Sequence, residues 1–403
     1  MTGDHQEFNM TRSTPNRRVV LQTGGAAVAA MAAQLALPDF VFPNQGDDEE
    51  LAPFLNMPRT PPNRLDWETL DSWITPQDQV FSVQHYGIPE FDASKYKLNV
   101  GGLVKNAVTL SLDAIKKRPR QEQLMTLECS GNGAGKGFIN AIYNSKWTGA
   151  PLAPLLEECQ VDPQATEVVF FGVDRKEETL RKGTNRELTV DVPFGRSMSV
   201  ADAMKLNLLL AYERNGKPLE KRNGAPLRLI VPGWYGIANV KWLRKIELRD
   251  RRYMGRYMGR DYVTVRGEKR GDEVVFVETS VGRMNLKSII ARVMRQPAKG
   301  GKVPAKAYGA AWSDGTAVER VEVKVDDGPW RRATLDKEPR SKFCWTFFSI
   351  DLGSLAAGKH SLVSRAIDAD GRAQPSAEDD EIALKKTYWE AYQQWPREIE
   401  LEA

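Results

Sequence analysis

The stretch RNGAPLRLIVPGWYGIANVKWL, Arg222 to Leu243, decides how the rest of the chain reads. Its first part, PLRLIVPG (Pro226–Gly233), is an apolar run stopped by proline and glycine, the mark of a short buried strand. Its end runs into VKWLRKIEL (Val240–Leu248), which places Val240, Trp242, Ile246 and Leu248 on one face, with the alternation broken at Arg244. Outward from here, EVVFFGV (Glu167–Val173) reads as a second buried strand and KYKLNVGGLV (Lys95–Val104) as a strand with a glycine bend. LSLDAIKKRP (Leu110–Pro119) reads as a short helix, with Ser111 as its N-cap and Pro119 at its end. Strands mixed with short helices predict an α+β domain.

The pattern changes near Val281, and from about Val303 it is all-β. VERVEVKVDDGPW alternates Val321, Val323 and Val325 with Glu322 and Lys324, then turns at Asp327–Gly328. FCWTFFSIDL and HSLVSRAIDADGRAQP follow, the latter turning at Asp370–Gly371. Short strands at this spacing predict a sandwich of about 100 residues. The only small repeat, RYMGRYMGR (Arg252–Arg260), reads as a packing loop or solvated face more readily than as an anion or RNA contact.

The chain has 403 residues, 57 of them basic and 53 acidic, for a net charge of +4. That length holds two or three domains, and that small excess argues against bulk nucleic-acid binding. Three cysteines, Cys129, Cys159 and Cys344, are too few and too odd in number for a disulfide scaffold. Near the start, NRRVVLQ carries paired Arg17 and Arg18, followed by the uncharged TGGAAVAAMAAQLAL from Thr23 to Leu37. About 15 residues suit a signal h-region better than a membrane span, and the twin arginines point to the twin-arginine export route and a periplasmic location. An ordinary secretory signal or a polar tail is the plainer alternative. Pro38 to Arg64 is rich in proline and acid and reads as an extended arm. The expected division is 1–44 signal and linker, 45–280 a catalytic domain, and 281–403 the sandwich.

One loop carries the chemistry. LECSGNG (Leu127–Gly133) ends an apolar run in a cysteine amid glycines. Cys129 is either a buried thiol at a strand end or a metal thiolate, with glycine permitting close approach to a large cofactor. The local pattern leaves both open.

Taken together, LECSGNG, the Arg222–Leu243 block and the trailing β-sandwich resemble the sulfite oxidase family of molybdenum enzymes, from about Trp73 onward. The resemblance implies a molybdopterin-binding domain followed by an immunoglobulin-like domain often used for dimerisation. It implies that Cys129 is the metal's protein ligand, a soft thiolate suited to a metal that changes oxidation state. Gly131, Asn132 and Gly133 would let the backbone approach the cofactor. Arg228 and Lys241 would meet the pterin phosphate, as a bidentate fork and a point charge. Asn223, Asn239 and the Val240 backbone would add hydrogen bonds. His85 in FSVQHYGIP matches the family's histidine near the pterin, with Phe81 and Gln84 beside it, and Asp174 matches a less distinct acidic position. Tyr262, 21 positions after Lys241, matches an active-site tyrosine. Outside the family spacing, a strand arginine or an isolated histidine is most often structural.

The departures bear on substrate. Sulfite oxidases usually carry Arg-Asn-His where this chain has Val83-Gln84-His85, and arginine where it has Gly133 and Ala134. Each missing guanidinium forfeits a charge-assisted hydrogen bond worth roughly 1.5–3 kcal/mol to a sulfite dianion. Lys136, Arg186 or Lys385 are the candidate substitutes. The expected activity is oxygen-atom or two-electron transfer at a small or carrier-bound sulfur substrate. Methionine sulfoxide-type reduction, a sulfane dehydrogenase-like role and true sulfite dehydrogenation are the enzymatic alternatives, and a cofactor-free binding protein the non-enzymatic one. No Cys-x-x-Cys-His haem motif occurs, so a separate electron-transfer protein such as a cytochrome is expected, with the chain a monomer or homodimer. Replacing both arginines (Arg17→Lys with Arg18→Lys) is expected to leave the protein in the cytoplasm. Cell fractionation checks this, and periplasmic recovery equal to the parent would indicate the general secretory route.

Overall fold

The computed structural model describes residues 49–57, 60–135, 138–336 and 341–402. The twin-arginine segment and Lys136 lie outside them. Two five-stranded sheets build the first part of the fold. One runs Val108–Ser111, Lys97–Gly102, Leu243–Arg249, Glu167–Leu180, Leu188–Ser199 in spatial order. The other runs Arg228–Ile230, Leu209–Arg214, Ile142–Pro151, Gln121–Glu128, with Lys217–Pro218 added beside Leu209–Arg214. Helices are few and short among the described residues. The longest, Leu152–Cys159, buries Leu152, Leu155, Leu156 and Cys159.

Local chemistry explains most of these elements. Ser111 accepts a hydrogen bond from the Ala114 amide at 3.2 Å and caps the helix Leu112–Lys116. The strand Leu243–Arg249 slips register against Glu167–Leu180 between Leu243 and Lys245, which is where the sequence alternation breaks. Glu167–Leu180 runs well past Val173, because its polar second half pairs with Leu188–Ser199 in a long hairpin. The strand expected over Pro226–Gly233 contracts to Arg228–Ile230. The tyrosines of the repeat near Arg252 pack inward: Tyr253 meets Phe171 edge-on at 5.3 Å. Arg256 and Arg260 both pair with Glu178, at 2.8 and 3.0 Å, so the repeat is a packing loop.

The second part is a two-sheet sandwich. One sheet is Glu50–Ala52, Lys287–Arg295, Lys302–Trp312, Thr346–Ala356, Thr334–Leu335, and the other Arg331–Arg332, Val318–Val325, Gly358–Asp368, Arg397–Leu401. Val321 and Val323, with Leu362, Ala366 and Ile399 of the same sheet, share its core with Ile290, Val293 and Val303 of the other, as the alternation requires. The amino-terminal arm is not free of structure: Glu50–Ala52 pairs antiparallel with Val293–Arg295. A separate hairpin, Val263–Arg270 with Glu273–Ser280, stands beside both parts.

The two parts are joined by aromatic packing and one buried ion pair. Trp67 stacks on Trp312 at 5.9 Å and meets Trp345 at 6.0 Å. Glu128, at the end of Gln121–Glu128, is 0% exposed and accepts from Lys287 Nζ at 2.5 Å, Trp312 Nε1 at 2.9 Å and Asn132 Nδ2 at 2.9 Å. Lys287 and Trp312 are sandwich residues, so a catalytic-domain carboxylate is neutralised from the neighbouring domain. Removing one partner strands a charge in a dry site, which costs roughly 3–5 kcal/mol, whereas replacing both costs far less. Lys287→Met is therefore expected to destabilise the chain by about that much, and Glu128→Gln with Lys287→Met to recover most of it. Urea unfolding of the full chain measures both.

Candidate active site

Cys129 follows Glu128 directly and opens a tight loop. The Cys129 amide donates to the Ala141 carbonyl at 2.9 Å, and the Asn132 amide to the Cys129 carbonyl at 2.9 Å. Asn132 is buried; its side chain donates to Glu128 and accepts from the Ala141 amide at 2.9 Å. Lys287 Nζ reaches the Asn132 carbonyl at 2.8 Å. Gln393 Nε2 donates to the Gly133 carbonyl at 2.9 Å and the Glu390 amide to the Ser130 carbonyl at 2.7 Å. Asn132 thus supports the loop from behind. Gly131 makes room for the Tyr388 ring, 3.4 Å from where its Cβ would stand, and does not line the pocket.

On its other side the loop faces a pocket that opens to solvent. Cys129 lines it together with Phe81, Gln84, His85, Asp174, Asn223, Arg228, Asn239, Lys241 and Tyr262. Of the residues singled out from the sequence, Gly131, Asn132 and Gly133 are not in this wall, and neither is Val240. Its amide donates to the Ala238 carbonyl at 3.1 Å and its carbonyl accepts from Leu229 at 2.8 Å, so its backbone is spent on the fold. Val83 lines the pocket, but Ala134 is exposed and lies outside it. Arg186 is exposed near the tip of a hairpin. Lys385 turns to the Trp389 and Glu390 carbonyls at 3.0 and 3.1 Å.

The pocket's charge is concentrated at one end. Arg228 is buried, donates to the Asn223 and Asn239 carbonyls at 3.0 Å each, and lies over the Trp147 ring at 4.8 Å. Burial holds its pKa below the ordinary arginine value. Lys241 Nζ donates to the Val83 carbonyl at 2.8 Å and the Arg222 carbonyl at 3.1 Å. Burial, then the Arg228 charge, lowers its pKa to about 7, with Asp174 opposing. Gly224, at φ +104°, brings Asn223 against Lys241; a Cβ there would lie 3.0 Å from the lysine's own Cβ. The Asn223 and Asn239 amides bond Glu220 and the Tyr235 carbonyl, at 3.1 and 3.2 Å.

The other end is aromatic. His85 Nε2 and Tyr262 Oη are 2.7 Å apart, and the imidazole packs on Tyr257 at 4.6 Å and Phe194 at 5.4 Å. Burial, then the charge of Lys241, lowers the His85 pKa to about 4, and burial raises that of Tyr262. Both are neutral near pH 7, and one hydrogen bond joins the phenol to the imidazole, its direction set by the tautomer of the ring. Tyr262 has φ +58°, uncommon for a bulky side chain, and its ring stacks on Trp389 at 4.1 Å.

These residues fit a large anionic cofactor. Two cations share the pocket with one carboxylate, Asp174, whose pKa burial raises to about 6. Asp174 Oδ1 and Ser130 Oγ are buried without a hydrogen-bond partner among the described residues. No three His, Cys, Asp or Glu side chains converge among the described residues, and Cys129 is the one thiol in the pocket wall. Burial first, with Glu128 adding to it, raises the Cys129 thiol pKa; a bound metal displaces that proton.

Sequence reasoning passed over Glu128, Ser130, Lys287, Trp312, Tyr257 and Trp389. The one signal was an ionisable residue, Glu128, closing the short uncharged run Leu124–Leu127.

Residues 85–257 match the family described as oxidoreductase molybdopterin binding domain, and residues 278–389 that described as Mo-co oxidoreductase dimerisation domain. The chain is 31% identical to rat mitochondrial sulfite oxidase, over 76% of its own length and 58% of that protein's. It is 29% identical to the Arabidopsis thaliana sulfite oxidase, over 76% of its own length and 83% of that protein's. The chain thus spans under two thirds of the length of the mammalian relatives it matches. Its fold is like that of the sulfane dehydrogenase SoxCD from Paracoccus pantotrophus, with a TM-score of 0.68 at 24% identity, covering 88% of this chain and 90% of that one.

The shifted groups set a testable pH dependence. Lys241 falls from an ordinary 10.5 to about 7 in the folded, cofactor-free protein. Between those values the unfolded chain binds more protons, so stability rises with pH. His85, lowered from 6.5 to about 4, acts in the same direction below pH 6.5, while Asp174, raised from 3.8 to about 6, opposes it. The urea midpoint of the cofactor-free protein is expected to rise from pH 7 to about pH 9. Lys241→Met should flatten this rise, and cofactor-loaded protein, with the lysine ion-paired, should lack it.

Proposed function

Because this chain belongs to the sulfite oxidase family of molybdopterin-dependent oxidoreductases, we propose that it is exported to the periplasm and oxidises a neutral or carrier-bound sulfur substrate, passing electrons to a separate protein. Molybdenum–molybdopterin, when bound, supplies two-electron redox chemistry at sulfur. Cys129 would hold the metal, and Arg228, Lys241, Asp174, Asn223, Asn239, Gln84 and Phe81 would surround the pterin and its phosphate.

The chain's own groups then divide the work. Arg228 and Lys241 are already fastened to backbone carbonyls, so they meet an anion without first being ordered. Tyr262 Oη and His85 Nε2, 2.7 Å apart, are tied by one hydrogen bond. A histidine whose pKa lies near 4 is a poor resting base, and the pair keeps the substrate end of the pocket uncharged.

The observation that carries the substrate reading is the cation inventory. Among the described residues lining the pocket, the basic ones are His85, Arg228 and Lys241. The first is neutral, Arg228 is fastened to the Asn223 and Asn239 carbonyls, and Lys241 to the Val83 and Arg222 carbonyls. Val83 supplies an apolar wall, 38% exposed, where sulfite-using relatives carry arginine. A sulfite dianion that sheds its water against such a wall regains little. Two exposed rings, Tyr388 at 55% and Phe138 at 41%, stand on the cysteine loop at Gly131 and suit sulfur on a larger partner, since sulfur packs well on aromatic edges.

Steady-state assays with sulfite and ferricyanide are expected to give a KM well above about 1 mM, the upper end of the usual range. Val83→Arg should lower it by roughly tenfold or more, the worth of one charge-assisted contact. Efficient wild-type turnover at micromolar sulfite would establish a true sulfite dehydrogenase instead.

A further inference from the structure

Ser130 follows the metal-ligating cysteine and plays no part in the reading above. Its side chain is 1% exposed, it lines the cofactor pocket beside Cys129, and its Oγ has no hydrogen-bond partner among the described residues. The backbone on either side is fixed, by the Glu390 amide on the Ser130 carbonyl at 2.7 Å and the Ala141 carbonyl on the Cys129 amide at 2.9 Å. The loop therefore cannot turn to give the hydroxyl to water or to another strand. A buried hydroxyl without a partner is unfavourable. Nearly all others in this pocket are satisfied: the Ser82 hydroxyl donates to the Arg222 carbonyl at 2.9 Å, and Tyr262 bonds His85. Two other atoms of the wall lack partners, the acceptor Asp174 Oδ1 and the donor Arg228 Nε; of the two donors, Ser130 is the one adjacent to Cys129 in the chain.

We propose that Ser130 is a positioning residue whose hydroxyl donates a hydrogen bond to the sulfur ligands gathered around the metal, the Cys129 thiolate or the pterin dithiolene beside it. The acceptor arrives only with the cofactor, so the hydroxyl's cost in the empty protein becomes a gain in the loaded one. A donor on a metal-bound sulfur draws electron density from it, which raises the reduction potential and strengthens retention of the group. This inference rests on the cofactor and not on the choice of substrate.

The test exploits a reversal of sign. Ser130→Ala and Ser130→Thr are compared with the parent as full-length protein, from a cofactor-competent host and from one unable to make molybdopterin. In cofactor-free protein, Ser130→Ala should unfold at the parent's temperature or above it, because it deletes an unsatisfied hydroxyl. In loaded protein, it should release molybdenum about two- to tenfold faster, the loss of one hydrogen bond. Its sulfur-to-metal absorption should shift and its potential fall. Ser130→Thr should restore the absorption and the potential. A lower unfolding temperature for cofactor-free Ser130→Ala would show that the hydroxyl has a protein partner and would overturn the proposal. Unchanged release and absorption in loaded Ser130→Ala would overturn it equally.

Discussion

The contact between Glu128 and Lys287 holds the architecture to the chemistry. A carboxylate sealed from water needs its charge met in place, and here the cation comes from a strand of the other domain. The same ammonium reaches the Asn132 carbonyl, and the same carboxylate anchors the Asn132 and Trp312 side chains. The loop that presents Cys129 is therefore braced from behind by the sandwich. Without the docked sandwich, Glu128 would be a bare charge one residue from the thiol. The second domain is in this sense part of the active site, although it contributes none of the residues lining the pocket.

The pocket in front of that loop divides into two electrostatic halves. Arg228 and Lys241 are cations with carbonyl partners and a single nearby acid, an arrangement that an anion completes. His85, Tyr262, Tyr257 and Phe194 form a packed aromatic wall in which burial suppresses ionisation. The Tyr262 backbone is held in a left-handed conformation, and buried Arg196 ties down both sides of it through the Tyr257 and Val281 carbonyls. Trp242, also in the pocket wall, shares this left-handed conformation at φ +47°, so two aromatic residues of the pocket carry backbone strain.

Much of this was legible in the sequence because it is local. The Ser111 cap, the break at Arg244, the alternating valines and the turn residues depend on neighbours in the chain. Cys129, Arg228, Lys241, His85 and Tyr262 were legible through family spacing, and the fold brings them to one cavity. What escaped depends on partners distant in sequence. Lys287 looks like an ordinary polar residue opening a strand, and nothing near it names Glu128, 159 positions away. Val240 was assigned a cofactor contact from its motif, but the turn at Gly236–Ala238 and the strand at Leu229 claim its backbone. The strand Glu50–Ala52 was hidden in a segment of proline and acid, because three residues carry no period.

That short strand has a consequence for how copies of this protein can meet. The outer edge of a sheet is a row of unmet donors and acceptors, open to any passing strand. Glu50, Leu51 and Ala52 fill that row opposite Arg295, Met294 and Val293, on the strand whose other end delivers Lys287 to the cysteine loop. The chain thus covers that end of the row itself and leaves at the sheet's edge a strand of only three residues, a poor template for a second molecule. Trimming of the arm by a protease would unmask the row and turn a closed surface into an adhesive one.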